Sequence, residues 1–133
     1  MTQRVALVTG AMGGIGTAIC QELAKAGHKV VAAYHPQFDK PEEWGKAMAD
    51  AGFNDFITVA GDVSDYDSCV ALAAEAEAKA GPIDILVNCA GITRDKMFAR
   101  MELAQWNAVI STNLGSLFNM TKQVSSKMAE RGW

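Results

Sequence analysis

The sequence predicts an α/β fold in which helices cover both faces of a parallel sheet. Two observations support this prediction: short apolar runs recur along the chain, and segments with helical periodicity separate them. Strands that are continuously apolar are typical of parallel sheets, which are buried on both faces. The alternation indicates a βαβαβαβ order in one domain over residues 1–133. The four predicted strands are Val5 to Val8, Val30 to Ala33, Phe56 to Val59 and Ile83 to Val87.

Three amphipathic helices are predicted between these strands, because apolar residues recur there at three- and four-residue spacing. The periodic apolar residues are Ile15, Ile19, Leu23 and Ala26 in the first helix, Trp44, Ala47, Met48 and Ala51 in the second, and Cys69, Leu72, Ala73 and Ala76 in the third. A proline is tolerated in the first turn of a helix, a serine can cap that turn, and a glycine can close the last one. The residues in these positions are Pro41, Ser64, Gly27, Gly52 and Gly81.

A loop is predicted from Asn88 to Arg100, followed by a long helix from about Leu103 to Arg131 that Gly132 ends. Asn113 falls on the predicted apolar stripe of this helix, so we expect its amide to be buried. A helix of this kind normally returns the chain to a further strand of the same sheet, so the chain looks cut short. The stripe consists of Trp106, Ile110, Leu117, Val124 and Met128.

The composition of the chain argues against several classes of protein, among them nucleic-acid-binding and membrane-spanning ones. The 133 residues have a net charge of −3 and are 50% hydrophobic, which is typical of one soluble globular domain. No basic stripe supports nucleic-acid or membrane binding, and no apolar run is long enough to span a bilayer. Three scattered cysteines, without metal-ligand spacing, favour a reducing compartment, hence the cytoplasm, and no metal site.

The first predicted strand runs directly into a glycine-rich turn that opens the first helix. The segment from Thr9 to Gly16 reads T-G-A-M-G-G-I-G, with Gly10 at the tight turn. We expect Gly14 to let the backbone approach a pyrophosphate and Gly16 to let the helix pack closely. This context favours a Rossmann-like dinucleotide site over a purely structural turn. A phosphate loop of the ATPase type is excluded, because no lysine precedes Thr17.

The end of the second strand bears on the choice between NAD and NADP. An acid there would bind the ribose hydroxyls of NAD and repel a 2′-phosphate, but Tyr34 occupies the position. The sequence therefore favours NADP(H), with His35 and Lys40 available for the phosphate. The alternative, that Lys40 only solvates or caps the start of the second helix, stays open.

Four features of the chain are read together: the turn from Thr9 to Gly16, the pair Asp62-Val63, the turn Asn88-Cys89-Ala90-Gly91, and Asn113. Together they resemble the short-chain dehydrogenase/reductase family. The resemblance implies that Asp62 and Val63 contact the adenine and that Asn113 is a catalytic helix residue. Asp62 could instead be a turn carboxylate, and Asn113 could be structural. Cys89 stands where the family usually has a second asparagine. The cofactor-binding residues that the glycine motif, the second-strand end and the resemblance indicate are Gly10, Met12, Gly13, Gly14, Ile15, Gly16, Tyr34, Lys40, Asp62, Val63, Asn88, Ala90 and Gly91.

Within that family, the segment from Gly91 to Asp95 is similar to carrier-protein-dependent 3-ketoacyl reductases and to acetoacetyl-CoA reductases. The second group is favoured, because Gly13 stands where the first commonly has an arginine. The resemblance implies NADPH-dependent reduction of acetoacetyl-CoA to (R)-3-hydroxybutyryl-CoA, a step toward polyhydroxybutyrate, in a homotetramer. Its mechanism uses a tyrosine as proton donor, a lysine, a serine that orients the carbonyl and the helix asparagine.

Three of those four catalytic groups do not map onto the chain. Phe38 and Val70 stand four residues after Tyr34 and Tyr66, so neither tyrosine forms the Tyr-x-x-x-Lys pair. We therefore expect an inactive N-terminal part of a reductase of about 250 residues. The fourth strand should then present an unpaired edge. A non-catalytic nucleotide-binding module is the alternative of a different class.

Overall fold

A computed structural model describes residues 3–133 as a four-stranded parallel sheet with helices on both faces, which confirms the predicted fold class. The sheet has the order β3-β2-β1-β4, so the first strand lies in its interior and the fourth at an edge. The elements in chain order are β1 (Val5–Val8), α1 (Gly14–Lys25), β2 (Lys29–Tyr34), α2 (Pro41–Asp50), β3 (Ile57–Ala60), α3 (Tyr66–Ala80), β4 (Ile85–Val87), α4 (Leu103–Val109) and α5 (Ser116–Arg131).

Two hydrophobic cores form because successive side chains of a strand point to opposite faces of the sheet. In β1, Val5 and Leu7 pack on one face with the helices α3 and α5, whereas Val8 packs on the other face with α1 and α2. Residues of β2 alternate in the same way. The continuous apolar runs of these two interior strands thus supply both layers, as the sequence predicts.

The edge strand differs from its prediction. β4 covers only Ile85–Val87, and its three residues are half-buried rather than fully buried. Ile83 precedes the strand and is nevertheless buried. The chain already lies beside β1 there, because the Asp84 amide donates a hydrogen bond to the Val5 carbonyl. Within residues 3–133, β4 pairs with β1 alone. The full burial expected of this strand was therefore wrong, since no second neighbouring strand covers it there.

The start of α3 has a different cap from the predicted one. Asp65, not Ser64, is the N-cap residue, and its carboxylate accepts a hydrogen bond from the Ser68 amide. The Ser64 hydroxyl instead donates to Asp62 at 2.7 Å. The other predicted helix ends are confirmed: Pro41 begins α2, and the glycines after α1, α2 and α3 have positive φ angles.

The long helix is interrupted where the sequence predicts a continuous one. A π-helical stretch, Ile110–Gly115, separates α4 from α5, and a 3₁₀ turn, Phe98–Arg100, lies in the preceding loop. Asn113 lies within the π-helical stretch and is exposed, so its predicted burial was wrong. Only the C-terminal part of the stripe packs on the core, through Val124 and Met128. The exposed stripe residues are Trp106, Ile110 and Leu117.

No helix in residues 3–133 is both long and apolar enough to cross a membrane. The three cysteines are free thiols, of which Cys20 and Cys69 are buried and Cys89 is half-buried. The first two serve as small apolar residues of the two cores, as expected.

Candidate cofactor site

A cleft of about 870 Å³ lies at the carboxyl ends of all four strands. Segments that directly follow each strand line it, together with residues from α4 and the π-helical stretch. Clefts in this position, where neighbouring strands lead to opposite faces, are the usual ligand sites of open α/β sheets. The lining residues are Gly10, Gly13 to Gly16, Ala33 to His35, Gln37 to Asp39, Gly61 to Ser64, Cys89 to Ile92, Arg94, Ala104, Asn107, Ala108, Ser111 and Thr112.

Steric contacts require glycine at two positions of the loop between β1 and α1. A Cβ atom at Gly16 would lie 2.1 Å from the carbonyl oxygen of Gly10. One at Gly10 would lie 2.7 Å from the backbone of Ala90, and the φ angle there is +60°. Both contacts involve backbone atoms that cannot move aside easily. These two glycines therefore fold the loop tightly against the turn after β4.

At position 14, in contrast, no steric contact within the protein requires a glycine. An added Cβ would meet no atom within 4 Å, so its surface opens to the cleft. The N-cap residue of α1 is Gly13, which has no side chain that could cap the first turn. That turn also contains no acidic residue. Free amides and the positive end of the helix dipole are thus available to an anion. This geometry fits a pyrophosphate group.

Two threonines hold the loop in place. The buried Thr9 hydroxyl accepts hydrogen bonds from the amides of Cys89 and Ala90, both at 3.1 Å. The Thr17 hydroxyl donates to the carbonyl of Ala11 and accepts from the indole of Trp44 at 2.9 Å. The glycine loop is therefore tied to the turn after β4 on one side and to α2 on the other.

A carboxylate lies near the end of β2, although the residue at the strand end itself is not an acid. Tyr34 and His35 line the cleft as expected, but the chain folds back so that Asp39 also lines it. Lys40, in contrast, is the N-cap residue of α2, does not line the cleft and lies 3.9 Å from Glu43. This placement agrees with the alternative in which the lysine is solvated at the helix start.

Asp62 and Val63 follow β3 and line the cleft where the sequence places them. One carboxylate oxygen of Asp62 accepts hydrogen bonds from the amide and the hydroxyl of Ser64. The residue is thus a turn carboxylate whose position also borders the site. The carbonyl of Val63 accepts a hydrogen bond from Asn119 at 3.0 Å, which joins this turn to α5.

The turn after β4 meets the π-helical stretch through Asn113. Its amide oxygen accepts from the Ile92 amide at 2.8 Å, and its amide nitrogen donates to the Ile92 carbonyl at 2.9 Å. This paired contact positions the backbone of a residue that lines the cleft. Ala90 and Gly91 line the cleft too, whereas the Asn88 side chain donates to Thr121 of α5.

Most of the residues predicted for cofactor binding therefore come together in one cleft. Met12, Lys40 and Asn88 lie outside its lining, and Met12 packs against the core beside α1 and α2. The sequence did not single out Asp39, because it lies five residues after the strand end. Its position two residues before Pro41, the first residue of α2, was the available signal. No group of three His, Cys, Asp or Glu side chains in residues 3–133 could hold a metal ion.

This fold and this cleft define the class of α/β domains that bind dinucleotides at a glycine-rich turn. The family description "short chain dehydrogenase" matches residues 4–133, and the chain belongs to that family of oxidoreductases.

Named relatives of this family cover the whole chain. It is 61% identical over 133 residues to nodulation protein G of Azospirillum brasilense and 53% identical to an acetoacetyl-CoA reductase of Cupriavidus necator. In both cases all of this chain aligns with 54% of the relative. The chain thus spans about half the length of these proteins.

A solved structure agrees with the fold. A short-chain dehydrogenase/reductase mutant from Serratia marcescens superposes with a TM-score of 0.82 at 28% identity. The superposition covers 94% of this chain and 51% of that one.

Proposed function

We propose that the protein takes part in the NADPH-dependent reduction of a 3-oxoacyl thioester, with acetoacetyl-CoA as substrate and (R)-3-hydroxybutyryl-CoA as product. The main support is the open, amide-rich start of α1 at Gly14, which fits a linked pair of phosphates. The 53% identity to an acetoacetyl-CoA reductase supports the choice of substrate.

The residues of the cleft have binding and orienting roles in this proposal. The amides from Gly14 to Gly16 would hold the pyrophosphate, because the Gly13 amide already donates to the Gly10 carbonyl at 3.3 Å. Asp62 and Val63 would border the adenine. Ala90 and Gly91 would border the nicotinamide half, because they follow the strand on the other side of β1. A reduced nicotinamide supplies the hydride that converts a ketone to an alcohol.

The proposed preference for NADP(H) rests on the end of β2. Tyr34 stands there in place of an acid and lines the cleft, and Lys40 follows within the same loop. Although Lys40 lies outside the cleft lining, its side chain is 76% exposed, and an exposed lysine can adopt several rotamers. It could therefore approach a 2′-phosphate.

Residues 1–133 provide one of the four groups that the family's chemistry uses. Asn113 has a second amide hydrogen and a second oxygen lone pair beyond its bonds to Ile92, so it can also hold a water. We propose that the serine, tyrosine and lysine belong to a part of the protein outside this chain. The chain's coverage of only about half of its relatives supports this division.

We also propose that the protein acts as a homotetramer in the cytoplasm. The helical segment from residue 98 to 118 exposes large apolar side chains that a second copy could cover. The free thiols are those expected in a reducing compartment. The exposed side chains are Phe98, Leu103, Trp106, Ile110, Leu114, Leu117 and Phe118.

The test is an NADPH-oxidation assay on the intact gene product, with acetoacetyl-CoA and acetoacetyl carrier protein as rival substrates. We expect faster turnover with the CoA thioester. Faster turnover with the acetoacetyl carrier protein would instead support a 3-ketoacyl carrier-protein reductase of fatty-acid synthesis. Saturable NADPH binding without turnover of either thioester would favour a non-catalytic nucleotide-binding module, and no NADPH binding would overturn the cofactor assignment.

A further inference from the structure

The indole of Trp44 is joined to the glycine loop by a chain of two hydrogen bonds. Its Nε1–H donates to the Thr17 hydroxyl at 2.9 Å, and that hydroxyl donates to the Ala11 carbonyl at 3.1 Å. An indole nitrogen can only donate and a carbonyl oxygen can only accept, so the direction of both bonds is fixed. Hydrogen bonds in such a chain strengthen one another. The Thr17 hydroxyl between them is therefore held in one orientation.

Thr17 in turn fixes the glycine loop at two points. Its hydroxyl bonds to Ala11 in the middle of the loop, and its amide donates to the carbonyl of Gly13, the N-cap residue of α1, at 2.9 Å. The Ala11 amide donates to the Ala33 carbonyl of β2 at 3.2 Å, so both polar groups of Ala11 are bonded. The backbone that leads into the open start of α1 at Gly14 is thus held in place by Thr17.

Trp44 itself does not reach the cleft. It is 9% exposed, does not line the cleft and packs against Phe56, with ring centroids 5.2 Å apart. Its helix, α2, begins at Pro41, just after the loop that borders the cleft at the end of β2. One hydrogen bond from this helix therefore connects the loops that follow β1 and β2, which both border the cleft.

We infer that Trp44 is a positioning residue for nucleotide binding: its indole N–H orients the Thr17 hydroxyl, which holds the glycine loop in the conformation that binds the pyrophosphate of NADPH. The inference rests on the proposed nucleotide function of the cleft. It adds that the affinity depends on two side chains that lie outside the lining of the cleft. Removal of the indole N–H should therefore weaken NADPH binding even when the ring and its packing are kept.

The experiment measures NADPH affinity by calorimetric titration of the intact gene product and of its Trp44→Phe variant. Phenylalanine keeps a ring against Phe56 but lacks the N–H donor. We expect the affinity to fall about fivefold, because one hydrogen bond is lost. Thr17→Val removes the hydroxyl and with it both bonds, so its affinity should fall about tenfold or more. Thr17→Ser keeps the hydroxyl and should bind NADPH within about twofold of the unchanged protein.

A combined variant distinguishes a chain of bonds from two independent contacts. If Trp44 acts through Thr17, the double variant Trp44→Phe/Thr17→Val should bind NADPH no more weakly than Thr17→Val alone. The matched control for packing is Phe56→Leu, which alters the ring that contacts Trp44 but breaks no hydrogen bond of the chain. It should lower the melting temperature and leave the NADPH affinity unchanged.

Three results would overturn the inference while leaving the proposed function intact. They are an unchanged NADPH affinity in Trp44→Phe, additive losses in the double variant, and an equal loss in Phe56→Leu, which would indicate a general effect of packing. If the intact gene product bound no NADPH, the proposed function and this inference would both fail. Should Trp44→Phe unfold, the comparison of Thr17→Val with Thr17→Ser decides, and equal affinities of those two variants would overturn the inference.

Discussion

Two segments that border the same cleft, the glycine loop and the long helical segment, are specified in different ways. The loop from Gly10 to Gly16 is determined by close backbone contacts within itself, between Gly16 and Gly10, and with the turn after β4 at Ala90. The helical segment from Leu103 to Arg131 is regular only in parts and leaves much of its apolar stripe exposed. A structure set by local sterics can be inferred from residue types, whereas an amphipathic face needs a partner surface to define which side is buried.

The largest expected effect tests the steric side of this comparison. In Gly16→Ala, the new methyl group would overlap the Gly10 carbonyl oxygen, so we expect the free energy of unfolding to fall by about 3 kcal/mol or more. The matched control in the helical segment is Gly115→Ala, where the nearest atom is 3.7 Å away. It should be neutral or slightly stabilising, because alanine favours helix. Equal losses in urea denaturation would contradict the distinction.

The next effect separates binding from folding within the loop. Gly14→Val should weaken NADPH binding by about a hundredfold, because the side chain would occupy the space next to the open amides. Stability should change little, since no protein atom is displaced. Gly45→Val, at an equally open position in α2, should leave binding unchanged. Retained NADPH affinity in Gly14→Val, measured by fluorescence titration, would refute the phosphate role of the loop.

A smaller effect tests how the helical segment contributes to the cleft. Asn113→Ala removes both hydrogen bonds to Ile92 and should destabilise that turn by about 1 kcal/mol. The expected observation is faster hydrogen exchange at the Ile92 amide, with little change at amides in β1. In Asn113→Asp the oxygen can still accept from that amide, so an intermediate rate is expected. An unchanged rate in the alanine variant would mean that other contacts hold the turn.

A further effect appears only at alkaline pH and is absent at neutral pH. Burial raises the pKa of the Cys20 thiol from 9.0 to about 12, and the nearby Cys89 adds to the rise. Burial likewise raises the pKa of Cys69 to about 11, with contributions from Asp62 and Asp65. The unfolded thiols ionise near pH 9 while the folded ones stay neutral, so their stabilisation is complete below pH 9 and is lost as the pH rises toward 11 and 12.

For Cys20 alone, the loss should be about 1 kcal/mol by pH 10. Denaturation midpoints at pH 8 and pH 10 measure it, and Cys20→Ala should show a smaller difference between the two values. If that variant lost as much stability as the unchanged chain, other groups would account for the pH dependence.

Much of the fold follows from patterns that act over short distances. The apolar run from Val5 to Val8 coincides with β1, and Pro41 begins α2 as predicted. Errors arose where a second surface or a returning loop decides the outcome. Asp65, not the predicted Ser64, is the N-cap residue of α3. The strand β4 is shorter and less buried than its apolar run indicates.

The order of strands and helices and the glycine turn can be predicted from the sequence alone, because hydrophobic periodicity and the conformational freedom of glycine are properties of nearby residues. The family is indicated by the resemblance of its motifs. The tertiary structure alone decided that Asn113 is exposed and bonded to Ile92, and that Asp39 returns to the end of β2. The physical reason is that hydrogen bonds across loops, and the burial of a helix face, depend on which surfaces the folded chain brings into contact.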